Sequence, residues 1–118
     1  RALITEIQAE EDADRKQVLE DILNQLKANY INLIAAKARQ VWRYQGAEDN
    51  WGCNVHIIQS EVGDVLAVNI QDCTIDDSDK AISFKNSIER AVYKASPLPL
   101  APDKDLFDSE IMFHFRVN

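Results

Sequence analysis

Residues 110–117, Glu110-Ile111-Met112-Phe113-His114-Phe115-Arg116-Val117, decide how the chain reads. Ile111, Phe113, Phe115 and Val117 alternate with Met112, His114 and Arg116, so an extended chain puts the apolar set on one face and the rest on the other. No other stretch gives so clean a strand signal. Working back, Pro97, Pro99 and Pro102 mark a connection that cannot be helical. Before it, Ala81, Phe84, Ile88, Ala91 and Val92 line one side of a helix ending near Ser96. Asp76, Asp77, Ser78 and Asp79 supply its cap candidate and an acidic first turn.

Further upstream, residues 53–59 and 65–71 flank Gly63 and Asp64 as two strands of a hairpin. Val55 and Ile57 alternate on the first, and Leu66, Val68 and Ile70 on the second. Gly46, Asp49, Asn50 and Gly52 separate this hairpin from a stretch without Pro or Gly, from about Ala2 to Tyr44. There Leu19, Ile22, Leu23, Leu26, Tyr30, Leu33, Ile34, Val41 and Trp42 recur at steps of three and four, the spacing of an amphipathic helix. Before Lys16, Glu6, Glu10, Glu11, Asp12 and Asp14 crowd a segment whose large apolar residues are Leu3, Ile4 and Ile7. It is expected to be helical but weakly docked.

Connection rules then give a topology. The hairpin makes strands one and two antiparallel, and a strand reached through one returning helix runs parallel to the strand before that helix. The third strand therefore pairs antiparallel with the first. The expected fold is α+β: a three-stranded antiparallel sheet of order 2-1-3, with a long N-terminal helix and a second helix packed on one face. Both sheet edges stay open, and the terminal strand is one of them.

Length and composition fit one globular domain: 118 residues, 46% hydrophobic and 28% charged. The longest apolar run is too short to span a bilayer. A net charge of -7 opposes any phosphate-tracking surface, so nucleic acid is not an expected partner. The start at Arg1, without Met or a leader pattern, reads as a fragment or processed product.

Cys53 and Cys73 each lie ten residues from Gly63 and so face one another at the open end of the hairpin, to within about one residue of register. One disulfide is the favoured reading, which places the domain in an oxidising compartment; two reduced thiols in a cytosolic protein are the alternative. Apolar residues are odd-numbered on the first strand and even-numbered on the second, a parity that favours a one-residue offset or a bulge near Asp72. Trp42, Tyr44 and Trp51 cluster before the hairpin, as core packing or as an exposed binding patch.

Catalytic patterns are missing. Gly46, Gly52 and Gly63 form no phosphate loop, and the acidic runs fit a solvated helix and a helix start. His56 and His114 are expected opposite the apolar face as solvent-facing strand residues, with no metal or cofactor implied.

The arrangement resembles the TolA C-terminal domain family, within the TonB/TolA C-terminal fold group. The resemblance rests on Tyr30-Ile31-Asn32-Leu33-Ile34 leading to Val41-Trp42-Arg43-Tyr44, then Gly52-Cys53, the turn Val62-Gly63-Asp64, and Leu66-Ala67-Val68. A helix, a proline-containing segment from Ser96 to Pro102 and the ending Phe113-His114-Phe115-Arg116 complete it. It spans roughly residues 25–118, leaving 1–24 as an N-terminal helical extension that belongs to the linker into a longer helical region. Cys53 matches the family's first cysteine, whereas Cys73 departs from a pattern that places the partner on the following helix.

The resemblance implies a non-enzymatic periplasmic adaptor of the Tol-Pal envelope-integrity and division system, part of an inner-membrane-anchored protein of a Gram-negative bacterium. Its implied partners are TolB and Pal, with filamentous phage coat protein and group A colicins exploiting the same domain. Strand addition at the terminal strand is the expected mechanism, with Glu110, Met112, His114, Arg116 and Val117 as the partner-binding residues and the opposite edge, 65–71, as second choice. The chain is expected as a monomer, although open edges permit swapping or dimerisation. Three readings compete with this one: a TonB-type domain pairing with outer-membrane receptors, a small periplasmic enzyme or ligand-binding domain, and a spacer fragment.

Overall fold

The computed structural model describes residues 2–76 and 78–117, with side chains from residue 13 onward. Among the described residues the chain runs α1 (Ala2–Val41), β1 (Gly52–Gln59), β2 (Val65–Thr74), α2 (Ser78–Lys94), a 3-10 turn (Lys104–Leu106) and β3 (Glu110–Arg116). The strands form one antiparallel sheet of order β2-β1-β3, so the α+β architecture and strand order follow the connection rules. No helix among these residues is long and apolar enough to cross a membrane.

One face of the sheet is covered. Tyr30, Ile34 and Ala38 of α1 and Phe84, Ile88 and Val92 of α2 close over Val55, Ile57, Ile70, Ile111 and Phe115. Alternation along β1 produces this layer: Cys53, Val55, Ile57 and Gln59 are buried, while Asn54, His56 and Ile58 are half-buried on the outer face. Trp42, Tyr44 and Trp51 belong to the core side. Trp51 meets Phe84 edge-on at 5.3 Å, and Trp42 meets Phe115 at 5.2 Å. Their polar handles are satisfied, because Trp51 Nε1 donates to Asp76 Oδ1 and Trp42 Nε1 to Ser87 Oγ, each at 2.9 Å. Asp76 thus serves Trp51, α2 starts at Ser78, and Asp77 lies outside the described residues.

The parity problem on β2 is resolved by two register shifts. Val55 opposes Ile70 and Ile57 opposes Val68, but toward the open end the pairing slips, with Asn54 opposite Gln71 and Gly52 opposite Thr74. Unshifted pairing would put Asp72 opposite Cys53. The extra residue, with Asp72 in the left-handed region at φ 49°, instead brings Cys73 to the buried Cys53, and the two are joined as a disulfide.

The second shift, between Ile58 and Gln59, corrects the expectation for Leu66. Val65 takes the place opposite Gln59, and Leu66 turns outward, 62% exposed. At the hairpin turn Gly63 adopts φ 88°, and its carbonyl accepts the Leu98 N–H at 2.7 Å, just after the cis Ser96–Pro97 bond.

The long helix differs most from its expected packing. Leu19, Ile22, Leu23, Leu26 and Leu33 are exposed, and among the described side chains of α1 burial begins at Tyr30. The periodic stripe is real, but the sheet is too short to cover all of a helix of roughly 60 Å. The segment before Lys16, expected to be weakly docked, is helical from Ala2, and its side chains at residues 2–12 lie outside the described residues; Asp14 is exposed.

Candidate functional site at the β3 edge

β3 lies at one rim of the sheet, and the ladder fixes which of its groups are spoken for. Val117 N donates to Trp51 O at 3.2 Å, and Gln59 N to Ser109 O at 2.9 Å. With Val55 opposite Phe113 between these bonds, the odd-numbered residues of β3 exchange hydrogen bonds with β1. The main-chain N–H and C=O of Glu110, Met112, His114 and Arg116 therefore point to the rim. Their side chains are also exposed, whereas Ile111 and Phe115 are buried and Phe113 is half-buried.

Two of the expected binding residues have their main chain committed within the fold. The Glu110 N–H is donated to Asp108 Oδ1 at 3.0 Å, so a side chain stands where a partner carbonyl would come. Val117 sits half-buried beyond the strand end, its N–H given to Trp51 and its carbonyl accepting from Arg39 Nη2. Met112, His114 and Arg116 remain as the free centre of the edge.

Behind that edge, Ala35, Ala36 and Arg39 of α1 and His114, Phe115 and Arg116 of β3 line a groove of about 310 Å³. The small side chains of Ala35 and Ala36 leave this space unfilled. A second concavity of about 250 Å³, lined by Asp49, Asn50, Trp51, His114 and Arg116, adjoins the same two residues. Arg39 and Arg116 make this rim cation-bearing in a chain of net charge -7.

The start of β3 is anchored by a polar relay. Gln59, buried on β1, donates through Nε2 to Tyr30 Oη at 2.9 Å and to the Asp108 carbonyl at 2.8 Å. Asp108 also pairs with Lys27 of α1 at 3.3 Å. The Glu110 N–H bond holds the Asp108 carboxyl below its usual range; burial opposes it, and the Lys27 ammonium adds smaller lowering contributions.

His114 lies on the outer face, its Nδ1 2.8 Å from Asn54 Oδ1. His56 pairs across the ladder with Asn69 and Met112, so the two histidines sit diagonally on that face. Among the described residues no group of three or more His, Cys, Asp or Glu could hold a metal ion. The opposite rim, β2, exposes Leu66, Ala67, Asn69 and Gln71, and α2 packs beneath it. The commitment of Glu110 and Val117 was not readable from alternation, since both partners, Asp108 and Arg39, come from outside the strand pattern. No protein-family model and no curated protein matches this chain.

Proposed function

We propose that the domain is a non-enzymatic adaptor that receives an extended segment of another protein as a fourth strand beside β3. The observation that carries this reading is the row of rim-facing main-chain groups at Met112, His114 and Arg116, flanked by a groove that α1 leaves open. An added strand would run about 4.8 Å beyond β3, its backbone bonding these residues and its side chains reaching the groove. The cationic rim favours an acidic or uncharged segment. The family resemblance suggests TolB and Pal as partners in the periplasm, with phage coat protein and colicins as exploiters of the same surface, and the Cys53–Cys73 bridge is consistent with an oxidising compartment.

The test is chemical-shift mapping of the labelled domain titrated with an N-terminal TolB peptide, alongside Met112→Pro and His114→Pro. Because those N–H groups face the rim, proline there deletes no bond to β1. The expected result is a folded domain that no longer binds. Binding left intact by both prolines, and lost instead on Val68→Pro, would move the site to β2. Binding only to TonB-box peptides of outer-membrane receptors would replace the Tol-Pal assignment while keeping the edge.

A further inference from the structure

The register of β3 fixes where each side chain of an added strand falls. In an antiparallel partner, the residues directly opposite Met112, His114 and Arg116 exchange main-chain hydrogen bonds with them and point to the outer face of the sheet, as those three side chains do. The residues opposite Phe113, Phe115 and Val117 point to the face that α1 covers. Directly opposite side chains start about 4.5–5.5 Å apart at Cβ, so the one facing Phe115 enters the groove between β3 and α1. Phe115 itself turns into the core and leaves that space open.

The lining decides what fits there. Ala35 and Ala36 offer only methyl groups and Phe115 a ring, so the groove of about 310 Å³ suits one large aliphatic or aromatic side chain. Arg39 marks one end, donating through Nη2 to the Val117 carbonyl. A guanidinium has further N–H donors, and no Asp or Glu lines the groove. The partner residue opposite Val117, on the same face, thus comes beside a cation that a carboxylate can meet.

We propose that β3 selects an antiparallel strand carrying a large apolar residue two positions after an acidic one, the apolar side chain seated opposite Phe115 and the acidic one opposite Val117 beside Arg39. The inference rests on strand addition at β3 and names the chemistry of the strand. Direction sets the order of the two residues, because an antiparallel strand runs from the Val117 end toward Glu110. Such a strand also continues the antiparallel pairing of the whole sheet.

The probes are synthetic Thr- and Ser-rich peptides with Glu-Thr-Leu at the centre, titrated into the labelled 118-residue chain and followed by amide shifts. Replacing the peptide Leu by Ala, or reversing the order to Leu-Thr-Glu, is expected to weaken binding about tenfold. Ala36→Leu puts a good helix former at an exposed position and fills the groove. It should bring the Leu and Ala peptides to within about twofold of one another. Arg39→Gln should erase the preference for Glu over Gln in the peptide, and Met112→Pro should abolish binding of every peptide. Binding that survives Met112→Pro would overturn strand addition and this inference together. Binding that Met112→Pro removes, but that does not tell Leu from Ala or that favours the reversed order, would overturn the inference alone. So would the absence of shifts with every peptide at millimolar concentration.

Discussion

Asp108 Oδ1 accepts the main-chain N–H of Glu110 at 3.0 Å, closing off the first rim-facing donor of β3 with the chain's own carboxylate. Asp108 Oδ2 meets Lys27 Nζ of α1 at 3.3 Å. One side chain therefore sets where the open edge begins and ties it to the long helix. Edge strands are commonly blunted in this way, and here the blunting stops after one residue.

The Asp108 carboxyl is held below its usual range in the fold, so its contribution is present above the unfolded carboxylate range near 3.8 and is lost as pH falls through the lower folded value. Asp108→Asn keeps an acceptor for Glu110 but removes the charge facing Lys27. Its expected cost at neutral pH is about 0–1 kcal/mol, as for other exposed ion pairs. The difference from the unmodified chain should shrink when urea denaturation is repeated below pH 3.

Phe115 and Phe113 share a face but not an environment. Phe115 is 3% exposed and edge-on to Trp42, whereas Phe113 is half-buried at the margin of the core. Phe115→Ala should cost about 3–5 kcal/mol and Phe113→Ala distinctly less, measured as the shift in free energy of urea unfolding. Equal losses at the two sites would mean that the core covers Phe113 as well as it covers Phe115.

The Cys53–Cys73 bridge closes a loop across a sequence separation of 20. The chain-entropy estimate for such a loop is roughly 3 kcal/mol. Reduction or Cys73→Ser should lower stability by about that amount, and Cys53→Ser by more, since Cys53 is fully buried and the serine hydroxyl would lack a partner. Alkylation before and after reduction, read by mass, reports the bridge directly.

Strand order was legible because a hairpin followed by one returning helix leaves a single sensible pairing, and alternation in residues 111–117 fixed the inward face of β3. The bulge was legible from the clash of odd and even apolar positions on β1 and β2, and the structure locates it at Asp72. What pattern could not say was how far the sheet reaches. Leu26 and Ile34 carry the same helical signal, yet one is exposed and the other buried, because the body of the domain ends between them. Leu66 is misread for a similar reason: a second register shift lies in main-chain geometry, not in residue type. At the edge, alternation located Met112, His114 and Arg116, but Asp108 and Arg39 act on the strand from irregular chain and from α1, where no period exists to read.

Gly52 shows how closely the far end of β3 is fitted. A Cβ there would stand 2.7 Å from His114 Nε2 and 2.7 Å from the Phe115 carbonyl oxygen. The imidazole can rotate away; the carbonyl, held in the β1–β3 ladder, cannot. Gly52→Ala is therefore expected to push β3 off β1 near Arg116, costing about 1–3 kcal/mol as other overpacked sites do. Adding His114→Ala should recover only the part of this loss due to the imidazole, leaving a residue due to the backbone contact. Full recovery in the double variant, measured by thermal or urea unfolding, would show that the main chain yields and that the strand is not rigidly seated at its open end.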